Sequence, residues 1–174
     1  MFPNQQQEQA ISCTDPYVAV VSPYRGSGAT TALLLTSLSH CRVPEKQALI
    51  LSTDPAGLFR QLLRDHVLDQ PHAEISQITF ADRSIVFQNR SYLTVQPING
   101  SWIRGISPSF VAIDDYEALA HQTWDIILEC TDRCTDEGTK VMVTCRSLLK
   151  LYEPTDQNNC ALCRFFHNAK QVWL

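Results

Sequence analysis

No stretch of this chain approaches the about 18 uninterrupted apolar residues that a helix needs to cross a membrane. A helical span is therefore not expected. The opening residues, MFPNQQQEQAI, have neither a basic segment nor an apolar core, so they do not read as a secretory leader. Basic residues are in deficit: 14 Lys and Arg stand against 18 Asp and Glu, scattered rather than clustered, for a net charge of −4. A freestanding nucleic-acid binder usually carries a basic surplus, so DNA is expected only through a complex. Six glycines and nine prolines are too few for a low-complexity segment, and no internal repeat is present. What remains, 44% hydrophobic and 18% charged, is a globular composition. One domain over 1–174 is expected, in the cytoplasm or nucleus of a cell or of an infected one.

Cysteine, by contrast, is not scarce. Seven residues without a leader read as reduced thiols rather than a disulfide framework. Cys160, Cys163 and His167 have part of a zinc spacing, with a fourth ligand open among Cys130, Cys134 and Cys145. Cysteine is also a common buried residue, and that is the preferred reading, so zinc is not expected. Cys145 reads as structural, because activating it would require the fold to bring His121 or His167 close.

Periodicity gives the frame. Residues 3–12 read as a short polar helix or turn, and 17-YVAVV-21 as a buried strand. A helix follows over 29–40, with Thr31, Leu34, Leu35 and Leu38 on one face. A second strand, 47-QALILS-52, leads to a helix over 54–68, capped by Asp54 with Pro55 at its first position. Residues 77–97 partly alternate, with turns at 81-ADRS-84 and 88-QNRS-91, and predict a small antiparallel meander inserted in the α/β unit. After a loop come the strand 110-FVAIDD-115, a helix over 116–130 burying Ala120, Trp124, Ile127 and Leu128, and the strand 140-KVMVTCRS-147. Around 160–173 either a helix or a strand fits. Continuous apolar strands alternating with helices indicate a mostly parallel sheet in an α/β fold.

Between the first strand and its helix lies 22-SPYRGSGATT-31, a glycine-rich turn where a phosphate-binding loop belongs. With Gly28 at the motif's second glycine, Pro23 takes the first, Ala29 the lysine and Thr30 the magnesium-side hydroxyl. Gly26, Ser27 and Gly28 let backbone N–H groups face the loop, and Ala29, Thr30 and Thr31 open a helix whose N-terminus favours an anion. The ammonium group that reaches the outer phosphates is missing, and Arg25 is a candidate to supply charge from the front of the loop. A tight strand-to-helix turn without ligand is the plain alternative.

A strand ending in Asp114 and Asp115 strengthens the phosphate reading. In a P-loop fold a neighbouring parallel strand often ends in an aspartate that holds magnesium, which suits Asp114 beside Thr30. Asp115 stands where a water-orienting glutamate would follow, one methylene shorter. The same pair could cap the helix over 116–130, with Glu117 as a first-turn acid.

The order of these parts across about 125 residues resembles the ATPase domain of the large terminase, the DNA-packaging motor of tailed phages and herpesviruses. The resemblance rests on Arg25 before Gly28-Ala29-Thr30, the Arg104-Gly105 pair before the acidic strand, FVAIDD itself, and 142-MVTCRS-147. It implies a RecA-like P-loop NTPase fold that binds ATP with magnesium. It further implies catalytic roles for Arg25, Asp114 and Asp115, coupling roles for Thr144 and Arg104, and adenine contact by Gln6 or Gln7. The departures are Ala29 at the lysine, Asp115 at the glutamate, the net acidic charge, and only 24 residues after Lys150, where the family has a nuclease domain.

Three functions follow as expectations. The first is a degenerate terminase-like protein, weak or inactive in ATP hydrolysis, that regulates or inhibits a nucleic-acid machine through a protein partner. The second is a working ATPase subunit of a packaging motor with Arg25 in place of the lysine. The third is the N-terminal lobe of a superfamily-one helicase, which PNQQQEQAI ahead of the loop also resembles. Trp102 leads the candidate interface aromatics, before Phe165, Phe166 and Trp173.

Overall fold

The computed structural model describes residues 4–24, 26–68, 74–98, 107–114, 139–146 and 168–174. Outside them fall the helix expected over 116–130, the loop holding Trp102 and Arg104, and the Cys160–His167 tail. Arg25, Asp115 and Glu117 also lie outside the described residues.

Eight strands form one sheet in the order β3-β4-β5-β2-β6-β7-β1-β8. They are β1 (Tyr17–Val21), β2 (Gln47–Ser52), β3 (Ile75–Thr79), β4 (Ser84–Phe87), β5 (Tyr92–Pro97), β6 (Phe110–Ile113), β7 (Lys140–Cys145) and β8 (Lys170–Trp173). The run from β5 to β8 is parallel, and β4 is antiparallel to both of its neighbours, β3 and β5. Three helices among the described residues accompany them: α1 (Gln5–Ser12), α2 (Ala29–His40) and α3 (Pro55–Leu62), the last continued by a π turn over Leu63–Val67. Among the described residues no helix is long and apolar enough to cross a membrane.

The central strands are buried on both faces, as a parallel sheet demands. Val18, Val20, Ala48, Ile50, Ala112 and Met142 join one apolar core with Leu33 and Leu34 of α2 and Leu58, Phe59 and Leu62 of α3. Val21, Leu51, Ile113 and Val143 are just as inaccessible. The strands over 17–21 and 47–52 and the helix over 29–40 stand where their patterns put them. Asp54 caps α3 through its Oδ1, which accepts from Gly57 N at 2.9 Å, with Pro55 in the first turn.

Four details differ from the sequence pattern or sharpen it. The buried face of α2 is Ala32, Leu33, Leu34, Thr36 and Ser37, with Thr31, Leu35 and Leu38 only half-buried. The helix is covered by the sheet on one side and α1 on the other. Thr36 and Ser37 tolerate burial because their hydroxyls return to the carbonyls of Ala32 and Leu33, each at 2.8 Å. The meander is joined to the main sheet, since β5 pairs in parallel with β2 along Gln47–Ser52, and it forms the sheet's edge. Its turns carry Arg83 and Arg90 at positive φ (50° and 68°). The chain end resolves to a strand, β8, because it adds to β1 with Val18 opposite Lys170. Finally, β7 lies between β1 and β6, so the acidic strand is not the loop strand's immediate neighbour.

Candidate functional site

The intervening strand sets the geometry. β1 and β6 stand two strand spacings apart, about 9.5 Å, and their carboxyl ends open on the same side as those of β2 and β7. Ligands in open α/β sheets bind along that edge. Here the edge carries the loop after β1, Asp114 after β6, and Thr144 near the end of β7.

The loop leaves β1 at Ser22, whose N–H donates to Cys145 O at 2.8 Å. Ser22 Oγ donates to Tyr24 O at 2.9 Å and also meets Ser27 Oγ, which closes the front of the loop. Gly26 and Gly28 adopt φ of 84° and 90°, a left-handed backbone that other residues reach only with strain. Gly28 is the N-cap of α2 and provides no side-chain cap. The first intrahelical bond runs from Ala32 N to Gly28 O at 2.9 Å. The N–H groups of the first turn precede it and have no partner within the helix. These donors stand where the sequence reading puts an anion, with the Ala29 methyl at the position the motif gives to lysine.

Thr30 Oγ1 donates to Asp114 Oδ1 at 3.0 Å across 84 residues of chain, and Thr144 Oγ1 donates to the same oxygen at 3.1 Å. A hydroxyl and a carboxylate at this spacing are hard oxygen donors, suited to magnesium completed by phosphate oxygens and water. Among the described residues no group of three His, Cys, Asp or Glu could hold a metal. The cysteines and His167 of the zinc-like tail lie outside them.

Of the two candidate glutamines, Gln6 is exposed and Gln7 is buried at the loop, 8% accessible. Gln7 Nε2 makes long hydrogen bonds to Ser27 O (3.3 Å) and Gly28 O (3.5 Å). These residues border a cleft of about 620 Å³ with Tyr24, Gln61, Asp65 and Arg146. A second recess, of about 500 Å³, shares Thr30, Gln61 and Asp114 and adds Arg60 and Arg64. Arg64 grips Asp65 (Nε–Oδ1 2.6 Å, Nη2–Oδ2 3.1 Å), and that hydrogen bond holds the Asp65 carboxyl below the usual range.

So Gly26, Ser27, Gly28, Ala29, Thr30, Thr31, Gln7, Asp114 and Thr144 come together in one cleft. Arg25, Asp115 and Arg104 fall outside the described residues. Sequence reasoning missed the contributions of α3 and the π turn, because 61-QLLRDHV-67 reads as ordinary amphipathic helix. Arg146 had a usable signal, being the first residue past the carboxyl end of a central strand.

A glycine-rich loop, a carboxylate two strands away and a bridging hydroxyl on the strand between are arranged as in the RecA-like P-loop fold. No protein-family model and no curated protein matches the chain. Solved structures do. The large terminase ATPase domain of Thermus phage P74-26 superposes with a TM-score of 0.64 at 16% identity, covering 82% of this chain and 64% of that one. The large terminase of another thermophilic bacteriophage, in complex with ADP, gives 0.66 at 13%, covering 99% of this chain and 45% of that one. The UvsW helicase from bacteriophage T4 gives 0.63 at 12%, covering 100% and 61%. The fold is that of terminase ATPase domains and helicase lobes, and this chain spans less than two thirds of each of these neighbours' lengths.

Proposed function

We propose that this chain is a terminase-like P-loop protein that binds a nucleoside triphosphate, hydrolyses it weakly or not at all, and acts through a protein partner on a nucleic-acid machine. The observation that carries the reading is the Thr30–Asp114 hydrogen bond beside Ala29. The magnesium pair is kept while the apolar Ala29 opens the helix. Magnesium, when bound, would neutralise the outer phosphates. Thr30 and Asp114 would hold it, Gly28 and the first turn of α2 would receive the phosphates, and Thr144 would fix the orientation of Asp114. Without the ammonium group, developing charge at the outer phosphate lacks its usual counter-charge, which favours retention over turnover. Net charge of −4 disfavours direct DNA binding and favours a protein partner. Trp173, 54% exposed on β8, is one exposed aromatic among the described residues that suits such contact, beside Tyr24 and Phe80.

A second reading, a working ATPase subunit of a packaging motor, draws support from cations around the site. Arg146 borders the main cleft, and Arg60 and Arg64 border the recess shared with Thr30 and Asp114. Calorimetry with magnesium-ATP and a steady-state phosphate-release assay separate the two. Binding with negligible turnover, and turnover gained by Ala29→Lys, supports the first reading. Robust turnover that Arg146→Ala or Arg60→Ala abolishes supports the second. No binding in either the native chain or Ala29→Lys rejects both.

A further inference from the structure

Gln7 reaches the phosphate loop from a helix outside it, and its buried amide is committed at both ends. Asn4 and Gln7 form a reciprocal cap on α1: Gln7 N donates to Asn4 Oδ1 and Asn4 N donates to Gln7 Oε1, each at 2.8 Å. The other end of the same amide donates to Ser27 O and Gly28 O. A glutamine amide has two N–H donors and one carbonyl; here the amino end faces the loop and the carbonyl end serves α1. Reading adenine bidentately requires an amide donor for N7 and the amide carbonyl for the N6 amino group. The donors are already engaged.

Those contacts do something else. In a trans peptide the C=O and N–H point in opposite directions. Holding the carbonyls of Ser27 and Gly28 toward α1 turns the N–H groups of Gly28 and Ala29 away from it, toward the mouth of the loop. The fit is close, since a Cβ on Gly28 would lie 1.7 Å from Gln7 Nε2. Only glycine leaves the room, and its φ of 90° is what brings the carbonyls round.

We infer that Gln7 is a positioning residue that presents the loop's N–H groups to phosphate, and that the cleft takes nucleoside triphosphates by their phosphates without distinguishing adenine from guanine. This rests on the nucleotide-binding reading above. The substrate class is a nucleoside triphosphate with the base unread, and the triphosphate alone carries most of the recognition.

The test is calorimetric titration of the full chain with magnesium-ATP, magnesium-GTP and magnesium tripolyphosphate, repeated in the Ala29→Lys background, which adds a phosphate contact without touching the base. Two variants remove the donors. Gln7→Glu keeps the reciprocal cap, for which Glu is equally suited. Gln7→Met removes the donors without adding charge. ATP and GTP should bind within about threefold of each other, and Gln7→Met should weaken all three ligands by one common factor, about tenfold, the worth of two modest hydrogen bonds. Thermal melts should show Gln7→Met still folded while it loses tripolyphosphate, and Gln7→Glu folded but less stable, because its carboxylate faces the Ser27 and Gly28 carbonyls. A preference for ATP over GTP of tenfold or more that Gln7→Met abolishes overturns the inference and makes Gln7 a base reader. Equal purine affinities that neither variant changes overturn the positioning role. Failure of every ligand in both backgrounds removes the nucleotide-binding reading itself.

Discussion

Thr144 donates its hydroxyl to Asp114 Oδ1 at 3.1 Å, the same oxygen that accepts from Thr30 at 3.0 Å. A strand that separates the loop from the acid thus becomes the link between them. On the nucleotide-binding reading proposed above, the two hydroxyls nevertheless have different futures. Thr30 sits at the helix mouth, where a metal would displace its bond to Asp114. Thr144 is nearly buried on β7 and stays with the carboxylate.

That difference is measurable. Asp114→Asn keeps the side-chain shape and removes the charge. It should abolish the gain in nucleotide affinity that magnesium gives, so that titrations with magnesium and with chelator coincide. Thr144→Val should leave the magnesium gain in place and lower stability by about 1 kcal/mol in urea unfolding, the typical worth of one hydrogen bond. A Thr144→Val chain that loses the magnesium gain would mean that Thr144 itself takes part in metal binding.

Restoring the loop cation is the second prediction. Ala29→Lys puts an ammonium group at the first position of α2, beside donors already turned to an anion. A charge-assisted hydrogen bond contributes about 1.5–3 kcal/mol, so affinity for a triphosphate should rise about 10- to 100-fold. The gain should be smaller for a diphosphate, which lacks the outermost group. Equal gains would point to a general electrostatic effect rather than a restored contact.

Much of this arrangement is legible in the residues. The bounds of β1, α2 and β2 follow from apolar runs and glycine punctuation, and Asp54-Pro55 announces α3 because capping chemistry is local. The order of strands is not local. Nothing in 140-KVMVTC-145 says that it lies between YVAVV and FVAI, and that placement is what turns Thr144 into the bridge. Choosing Gln7 over Gln6 needed the helix phase of α1, fixed by the Asn4 cap. The face of α2 was misread because Thr36 and Ser37 hide their hydroxyls in the helix backbone, which apolarity patterns cannot register. The π turn leaves no mark in the sequence, and with it went Asp65.

The two loop glycines should respond differently to alanine. Both have φ near 90°, so either substitution costs about 1–2 kcal/mol of backbone strain. Around Gly26 a new methyl meets nothing within 4 Å, whereas at Gly28 it collides with the end of Gln7. Gly28→Ala should therefore displace Gln7 as well. In a double-mutant cycle with Gln7→Met, Gly28→Ala should be strongly non-additive and Gly26→Ala additive, read by chemical denaturation. Additivity at both sites would mean that Gln7 and Gly28 are not coupled.

The opposite end of α2 carries a pH dependence of its own. His40, the last residue of that helix, stacks on Phe110 with ring centroids 5.3 Å apart and meets Ser109 Oγ through Nε2 at 2.8 Å. Burial, with help from Lys46 and Lys140 nearby, lowers its pKa from 6.5 to about 4. Between those two values the unfolded chain binds the proton more readily than the folded one, so stability rises with pH across the window and is lost as pH falls from about 6.5 toward 4. His66 contributes in the same direction, since burial lowers its pKa too. Melting curves at pH 7.5, 6.0 and 5.0 should show a progressive fall for the native chain and a shallower one for His40→Gln, which keeps a donor toward Ser109 and cannot titrate. If the two chains fall in parallel, protonation elsewhere governs the acid limb, and His40 is held neutral by less than its burial implies.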